Sequence, residues 1–140
     1  MALDTTGRIF LQVLIIFAST GLVDASTTNW CEILDAIWAV ESSRCYNPPN
    51  GDNNKAAGPY QIHRIYVDDL NRILGHKAFT YDDRRDFKKS RRMTYLYCRY
   101  YGKGLPPIEA ARNHQGGPYG YKKQSTLNYK AKLIKALENK

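Results

Sequence analysis

Two acidic residues in the first half of the chain have an arrangement that suits glycosidic-bond cleavage. Glu41 ends a segment with helical periodicity, and Asp52 follows eleven residues later in a turn rich in Gly, Pro and Asn. Glycosidases use one carboxylic acid to protonate the leaving oxygen and a second carboxylate to stabilise or attack the sugar carbon. A helix end that faces a turn can hold two such groups across a cleft. We therefore predict that Glu41 and Asp52 form a catalytic pair.

The elements that position these acids are predicted to be mostly helical. Apolar residues recur at helical spacing over 30–42, and Asn29 with Glu32 forms a capping-box pattern at the start. Short extended segments around 46–49 and 57–61 are predicted to pair as a small hairpin beside this first helix. Further helices are predicted over 63–74, 81–101, 107–114 and, capped by Ser125, over 126–138. The expected fold class is α+β, mostly helical.

The first 25 residues have the pattern of a secretory signal peptide. Arg8 precedes an apolar run over 9–18, and small residues precede a predicted cleavage site at Ser26. The run is shorter than the roughly 20 residues that a membrane span requires, so we expect no stable membrane insertion. An N-terminal anchor that stays attached is the alternative. The predicted organisation is a signal peptide over 1–25 and one catalytic domain over 26–140, secreted or delivered to a lysosome or digestive vacuole.

The chain is strongly basic. Its formal net charge is +8, and loss of Arg8, Asp4 and Asp24 with the signal peptide would raise it to +9. Such a charge favours an anionic partner, although solubility alone is a simpler explanation. A secretion signal argues against nucleic acid as that partner. We therefore expect bacterial envelope polymers.

The chain contains three cysteines, which limits it to one intramolecular disulfide. Cys31, Cys45 and Cys98 predict one disulfide in an oxidising compartment, with the pairing left open and one thiol left over. Their spacing is unlike that of a zinc site. We expect neither a metal nor another cofactor.

Three segments, taken in order, carry a resemblance to a known family. They are VESSRC at 40–45, GPYQI at 58–62, and ARNHQGGP at 111–118, the last followed by Ser125, Thr126 and Tyr129. Their order and spacing are similar to those of the invertebrate-type (destabilase) lysozymes, within the lysozyme-like superfamily. The similarity spans about residues 38–134. The chain differs from that family in having few cysteines and in having Gln115 where Asn is usual.

The resemblance implies a lysozyme-like fold and hydrolysis of the β-1,4 bond between N-acetylmuramic acid and N-acetylglucosamine in peptidoglycan. Such an activity serves antibacterial defence or the digestion of bacteria. Chitin-type oligosaccharides are a second candidate substrate. The family's catalytic acids would correspond to Glu41 and Asp52. Five further residues are predicted to bind substrate: Ser42, Tyr60, Gln61, Asn113 and His114.

Two other functions are compatible with the same sequence. A lytic transglycosylase would use Glu41 alone and leave a 1,6-anhydro product. A non-enzymatic cationic protein would bind or permeabilise bacterial surfaces, and added salt would weaken its action by screening surface charge. Product analysis separates the first alternative from hydrolysis, and loss of Glu41 separates the second from either enzyme.

Overall fold

The computed structural model describes residues 28–139 as a mostly helical protein with one small antiparallel sheet among them. The helices are α1 Trp30–Ser42, α2 Arg64–Leu74, α3 Phe87–Tyr101, α4 Pro107–Ala110, α5 Arg112–Gly116 and α6 Leu127–Glu138. The strands are β1 Ala56–Ala57 and β2 Ile62–His63. Short 3-10 helices cover Asp82–Arg85, Gly120–Lys122 and Gln124–Thr126. The predicted class, α+β and mostly helical, is confirmed; the predicted signal peptide lies outside the described residues.

Helix α1 has the predicted bounds because its start is capped. The Asn29 side chain accepts a hydrogen bond from the Glu32 amide at 3.0 Å, and the Glu32 carboxylate accepts one from the Asn29 amide at 3.3 Å. These bonds satisfy amides that the first turn leaves without a partner. The helix ends at Ser42, and the φ of 51° at its C-cap residue, Ser43, lies in the left-handed region. The cap therefore fixes where Glu41 lies.

The apolar faces of the longer helices meet in one core. Helix α1 packs chiefly against α6, and α3 contacts α1, α2, α4 and α5. The most deeply buried side chains of this core include Ile33, Ile37, Val67, Leu70, Met93 and Leu133. Burial of this apolar surface holds α1 rigidly against the rest of the fold. None of the helices in residues 28–139 combines the length and apolar character that crossing a bilayer requires.

The hairpin is formed by segments other than those predicted. Ala56 pairs with His63 and Ala57 with Ile62, and Gly51 forms an isolated bridge with Ala56. The predicted strand at 46–49 is absent because Pro48 and Pro49 have no amide hydrogen to donate to a sheet. The sheet nevertheless follows α1 in the chain and directly precedes α2. The loop that leads into β1 carries Asp52.

Two long predicted helices are each divided. Asp86 has an extended backbone, and its carboxylate accepts from the Lys89 amide at 2.8 Å, so it caps α3 and separates it from a 3-10 turn. The segment predicted as 107–114 divides at Ala111 into α4 and α5. The last helix starts at Leu127, and Thr126 rather than Ser125 occupies its cap position. A local capping residue decided the boundary at Asp86, where periodicity alone predicted continuity.

The three cysteines are free thiols in this structure. Cys31 and Cys45 are exposed, and Cys98 is buried in α3. Cys31 lies in the first turn of α1 and Cys45 just beyond its end, so the helix, which rises roughly 1.5 Å per residue, separates them by more than the roughly 7 Å that a disulfide spans. Burial raises the pKa of the Cys98 thiol to about 12, so it stays protonated and unreactive. The predicted disulfide is therefore not formed in this structure.

Candidate active site

The two predicted catalytic acids, Glu41 and Asp52, line one cavity of about 430 Å³. It opens between the end of α1, the hairpin and α5. Its lining residues are Glu41, Asp52, Ala56, Gln61, His63, His114 and Gln115. The four predicted site residues among them come from three separate segments of the chain. Only the tertiary fold brings them together.

Glu41 is held in a defined orientation. Its side chain is about 20% exposed, and its Oε1 accepts a hydrogen bond from the Tyr129 hydroxyl at 2.8 Å. Burial, reinforced by the Glu41 carboxyl, raises the pKa of Tyr129 well above 10. Tyr129 therefore remains a hydrogen-bond donor at any physiological pH. The carboxyl of Glu41 is consequently fixed at the edge of the cavity by the core.

We expect Tyr129→Phe to lower kcat for glycan cleavage about tenfold and to change KM little. In the predicted glycosidase this hydroxyl would orient the reacting carboxyl, and a small loss of alignment slows a positioned reaction. Steady-state kinetics on soluble glycan strands measure both constants. The control is Tyr100→Phe, which removes a hydroxyl from an exposed tyrosine of α3. Equal kinetics for the two variants would contradict the orienting role.

Asp52 lies opposite, in a loop closed by the hairpin. Its side chain is 56% exposed, and its Oδ2 is 3.2 Å from the Nε2 of His63. The backbone of Asp52 is left-handed, with φ at 48°, a conformation that Asp and Asn adopt at low cost. The two acids thus lie in different surroundings, one anchored in the core and one on an exposed turn.

His114 lines the cavity but is almost wholly buried, with 4% of its side chain exposed. Its Nε2 is 2.8 Å from the Tyr60 carbonyl oxygen, which can only accept, so Nε2 carries the proton. Its Nδ1 therefore accepts from the Tyr66 hydroxyl at 3.1 Å. Nε2 is 3.7 Å from the Glu41 Oε1. His114 supports the hairpin and borders Glu41, and both ring nitrogens are occupied by the protein itself.

The stability of the fold should fall as the pH drops below about 6.5 because His114 is buried. Burial lowers the pKa of His114, although the Glu41 carboxyl and the Tyr60 carbonyl act in the opposite direction. Below the ordinary pKa of about 6.5, His114 binds a proton in the unfolded chain but stays neutral in the folded chain. The stabilising contribution of neutral His114 is fully present above pH 6.5 and is lost as the pH falls toward the pKa of His114 in the folded chain.

Urea unfolding at pH 7.5, 6.0 and 5.0 tests this expectation. The matched variant is His114→Gln, whose amide can donate to the Tyr60 carbonyl but does not titrate. Its free energy of unfolding should depend less on pH over this range than that of the wild type. Identical pH dependence in the two proteins would show that His114 is not the group responsible.

Two residues predicted to bind substrate are buried away from the cavity, Tyr60 and Asn113. Tyr60 is fully buried; its hydroxyl accepts from Arg91 at 2.9 Å, and burial raises its pKa to about 12. Asn113 is also fully buried, and its Oδ1 accepts from the Tyr121 amide at 3.3 Å. Neither can touch a sugar in the cavity, so these two predictions are corrected to structural roles.

The other two predicted binding residues divide between structure and cleft. The Ser42 hydroxyl lies 3.3 Å from the Trp38 carbonyl and 3.2 Å from that of Cys45, so it stabilises the end of α1 and does not line the cavity. Gln61 does line it, and its amide nitrogen is bound to the Gly58 carbonyl at 2.9 Å. The Gln61 amide is thereby fixed against the hairpin turn.

Sequence reasoning missed His63 and Gln115 at the cleft. His63 ends β2 and faces Asp52, whereas Gln115 follows His114 in α5. His63 belongs to no motif; its only signal is its place directly after Ile62 of the GPYQI segment. The alternation of side chains along a strand would have placed it on the face opposite the buried Ile62.

Two cavities considerably larger than the cleft adjoin helix α2. One, of about 690 Å³, shares His63, His114 and Gln115 with the cleft and continues over Tyr66, Tyr97 and Tyr101 to Pro118. The other, of about 900 Å³, is bordered by α2 and the loop that follows it and contains neither acid. The first is continuous with the cleft and extends it into a groove with tyrosines in its walls.

Residues 28–139 bring together no group of three or more His, Cys, Asp or Glu side chains suited to a metal ion. No family model, no curated protein and no solved structure matches this chain.

Proposed function

We propose that the chain is a secreted glycoside hydrolase with a lysozyme-like fold that cleaves the glycan strands of bacterial peptidoglycan. The observation that carries this proposal is the pairing of Glu41 and Asp52 in one cavity. Two carboxyl groups that flank an open cleft are what a glycosidase requires. The net charge of +8 supports an anionic cell-wall substrate by long-range attraction.

In this mechanism Glu41 is the acid and Asp52 the charged partner. Protonated Glu41 transfers its proton to the glycosidic oxygen as the bond from that oxygen to the sugar carbon breaks. Ionised Asp52 stabilises the positive charge on that carbon or attacks it. Water then adds to the carbon, and on the route in which Asp52 has attacked, the bond from the carbon to the Asp52 oxygen breaks and Asp52 leaves as a carboxylate; the deprotonated Glu41 takes up a proton from the water, which restores the starting acid. The Tyr129 hydroxyl keeps the Glu41 carboxyl directed toward the substrate throughout.

The groove beside the cleft supports a polymeric substrate. It shares lining residues with the cleft, so a glycan strand bound at Glu41 can continue along it. Its walls include Tyr66 and Tyr97, which stack with their ring centroids 3.7 Å apart. They also include Tyr101, whose hydroxyl donates to Asp69. Tyr66 and Tyr97 are largely buried, so the half-buried ring of Tyr101 is the one that a sugar could contact, and the polar groups beside it suit hydroxyls.

The decisive experiment is digestion of purified insoluble peptidoglycan with mass analysis of the released fragments. Hydrolysis leaves a reducing N-acetylmuramic acid end, which borohydride converts to the alditol. The control is the same digestion with Glu41→Gln protein. Fragments released by the wild type alone and bearing reducing ends support the proposal. Absence of release by the wild type would refute it.

A lytic transglycosylase is the second candidate, and one contrast in the structure favours it. Glu41 is held by a buried tyrosine, whereas Asp52 lies on an exposed loop. An enzyme that needed one acid only would show this asymmetry. It would release 1,6-anhydro ends, and Asp52→Asn would retain its activity. Reducing ends together with an inactive Asp52→Asn variant would exclude it.

A further inference from the structure

The loop that carries Asp52 is closed tightly at its base. Gly51 and Ala56 exchange two backbone hydrogen bonds of 3.1 Å, and the Lys55 amide donates to the Asp52 carbonyl at 3.1 Å. Asp52, Asn53 and Asn54 are all left-handed, with φ at 48°, 52° and 67°. The backbone position of Asp52 is therefore set by the hairpin. The direction of its carboxylate is not, since a side chain this exposed can rotate about its own bonds.

The side chain of His63 contacts the Asp52 carboxylate and can fix its direction. It is the last residue of β2 and its backbone pairs with Ala56, next to the loop, so the same hairpin holds both partners. Its Nε2 is 3.2 Å from the Asp52 Oδ2. Among the described residues, His63 is the only basic side chain within ion-pair distance of this carboxylate.

Folding stability does not explain the pair. His63 is 40% exposed and Asp52 is 56% exposed. Ion pairs this open to water contribute little to stability, because solvent screens them and ordering the side chains costs entropy. Both members line the cleft together with Glu41. The contact lies where the orientation of a carboxylate affects chemistry.

We propose that His63 is a positioning residue that holds the Asp52 carboxylate toward the reacting sugar carbon. The inference rests on the proposed glycosidase function and adds a third side chain to the pair of acids. His63 acts through an N–H donor at Nε2. A neutral donor with the same reach should therefore substitute for it, and an apolar side chain should not.

Three variants test this role in kinetics on soluble glycan strands. His63→Leu should lower kcat about 10- to 100-fold with KM nearly unchanged, because it leaves the carboxylate free to rotate. His63→Gln places an amide N–H at similar reach and should restore most of kcat. In an Asp52→Asn background, His63→Leu should have no further effect, because its influence passes through Asp52. Full activity of His63→Leu, or an undiminished loss in the Asp52→Asn background, would overturn the proposal.

A second measurement is independent of catalysis. NMR couplings about the Asp52 Cα–Cβ bond should report one rotamer in the wild type and in His63→Gln, and averaging in His63→Leu. A wild type that cleaves no glycan but shows this pattern would refute the glycosidase and retain the positioning contact. Averaging in the wild type would refute the contact itself.

Discussion

Replacing Glu41 by Gln is expected to lower the rate of peptidoglycan cleavage by about 100-fold or more and to leave the fold intact. General-acid catalysis contributes roughly 10²- to 10⁴-fold, and the amide of Gln is far too weak an acid to protonate the leaving oxygen. The fold should survive because Gln has nearly the same shape and its carbonyl oxygen can still accept from the Tyr129 hydroxyl. Release of reducing ends measures the rate, and thermal unfolding measures the fold.

The matched control is Glu138→Gln, which makes the same chemical change at an exposed residue that ends α6. It changes the net charge by the same amount, so it corrects for altered attraction to an anionic cell wall. Its activity should equal that of the wild type. A Glu41→Gln protein that cleaves as fast as the Glu138→Gln control would remove Glu41 from the mechanism, and killing of bacteria by both would favour cationic binding.

Helix α1 and its acid could be predicted because local signals agree there. Apolar spacing, the Asn29–Glu32 cap and the end at Ser42 all indicate the same element. The break at Asp86 could not be predicted with equal ease. Apolar periodicity continues across 81–101, and the extended backbone of one capping residue overrides it.

Membership of a motif predicted the lining of the candidate cleft only in part. Glu41 of the VESSRC segment lines the cavity, but motif membership did not separate Gln61, which also lines it, from the fully buried Tyr60 beside it. Adjacent residues in a turn point in different directions, and their directions depend on left-handed backbone conformations such as that of Gln61. His63 was missed because its contact with Asp52 joins residues across the hairpin.

Gly58→Ala should be the most destabilising single substitution in the hairpin. Gly58 has a φ of 77°, and a Cβ there would lie 1.7 Å from the Arg84 carbonyl oxygen and 3.1 Å from the Arg85 Cα. Both obstacles are backbone atoms that cannot rotate away, so the 3-10 helix Asp82–Arg85 would have to move. We expect a loss of about 4 kcal/mol, much of the roughly 5–15 kcal/mol that stabilises a domain. Urea unfolding measures it.

The loss would be large because Arg84 is buried and donates to strand β2 and to the residue just before β1. Its Nη1 donates to the Lys55 carbonyl at 3.2 Å and to the Ile62 carbonyl at 3.0 Å. Displacing it would leave a charged group in the interior without these acceptors, which is costly.

Gly75→Ala isolates the contribution of backbone conformation. Gly75 has nearly the same φ, 74°, but a Cβ there meets nothing within 4 Å. Its left-handed backbone alone should cost about 1–2 kcal/mol. The difference between the two variants, about 2–3 kcal/mol, therefore measures the contact of the hairpin with Arg84. Equal losses in both variants would mean that the hairpin is not packed against residues 82–85, and the position of Asp52 and His63 opposite Glu41 would lose its support.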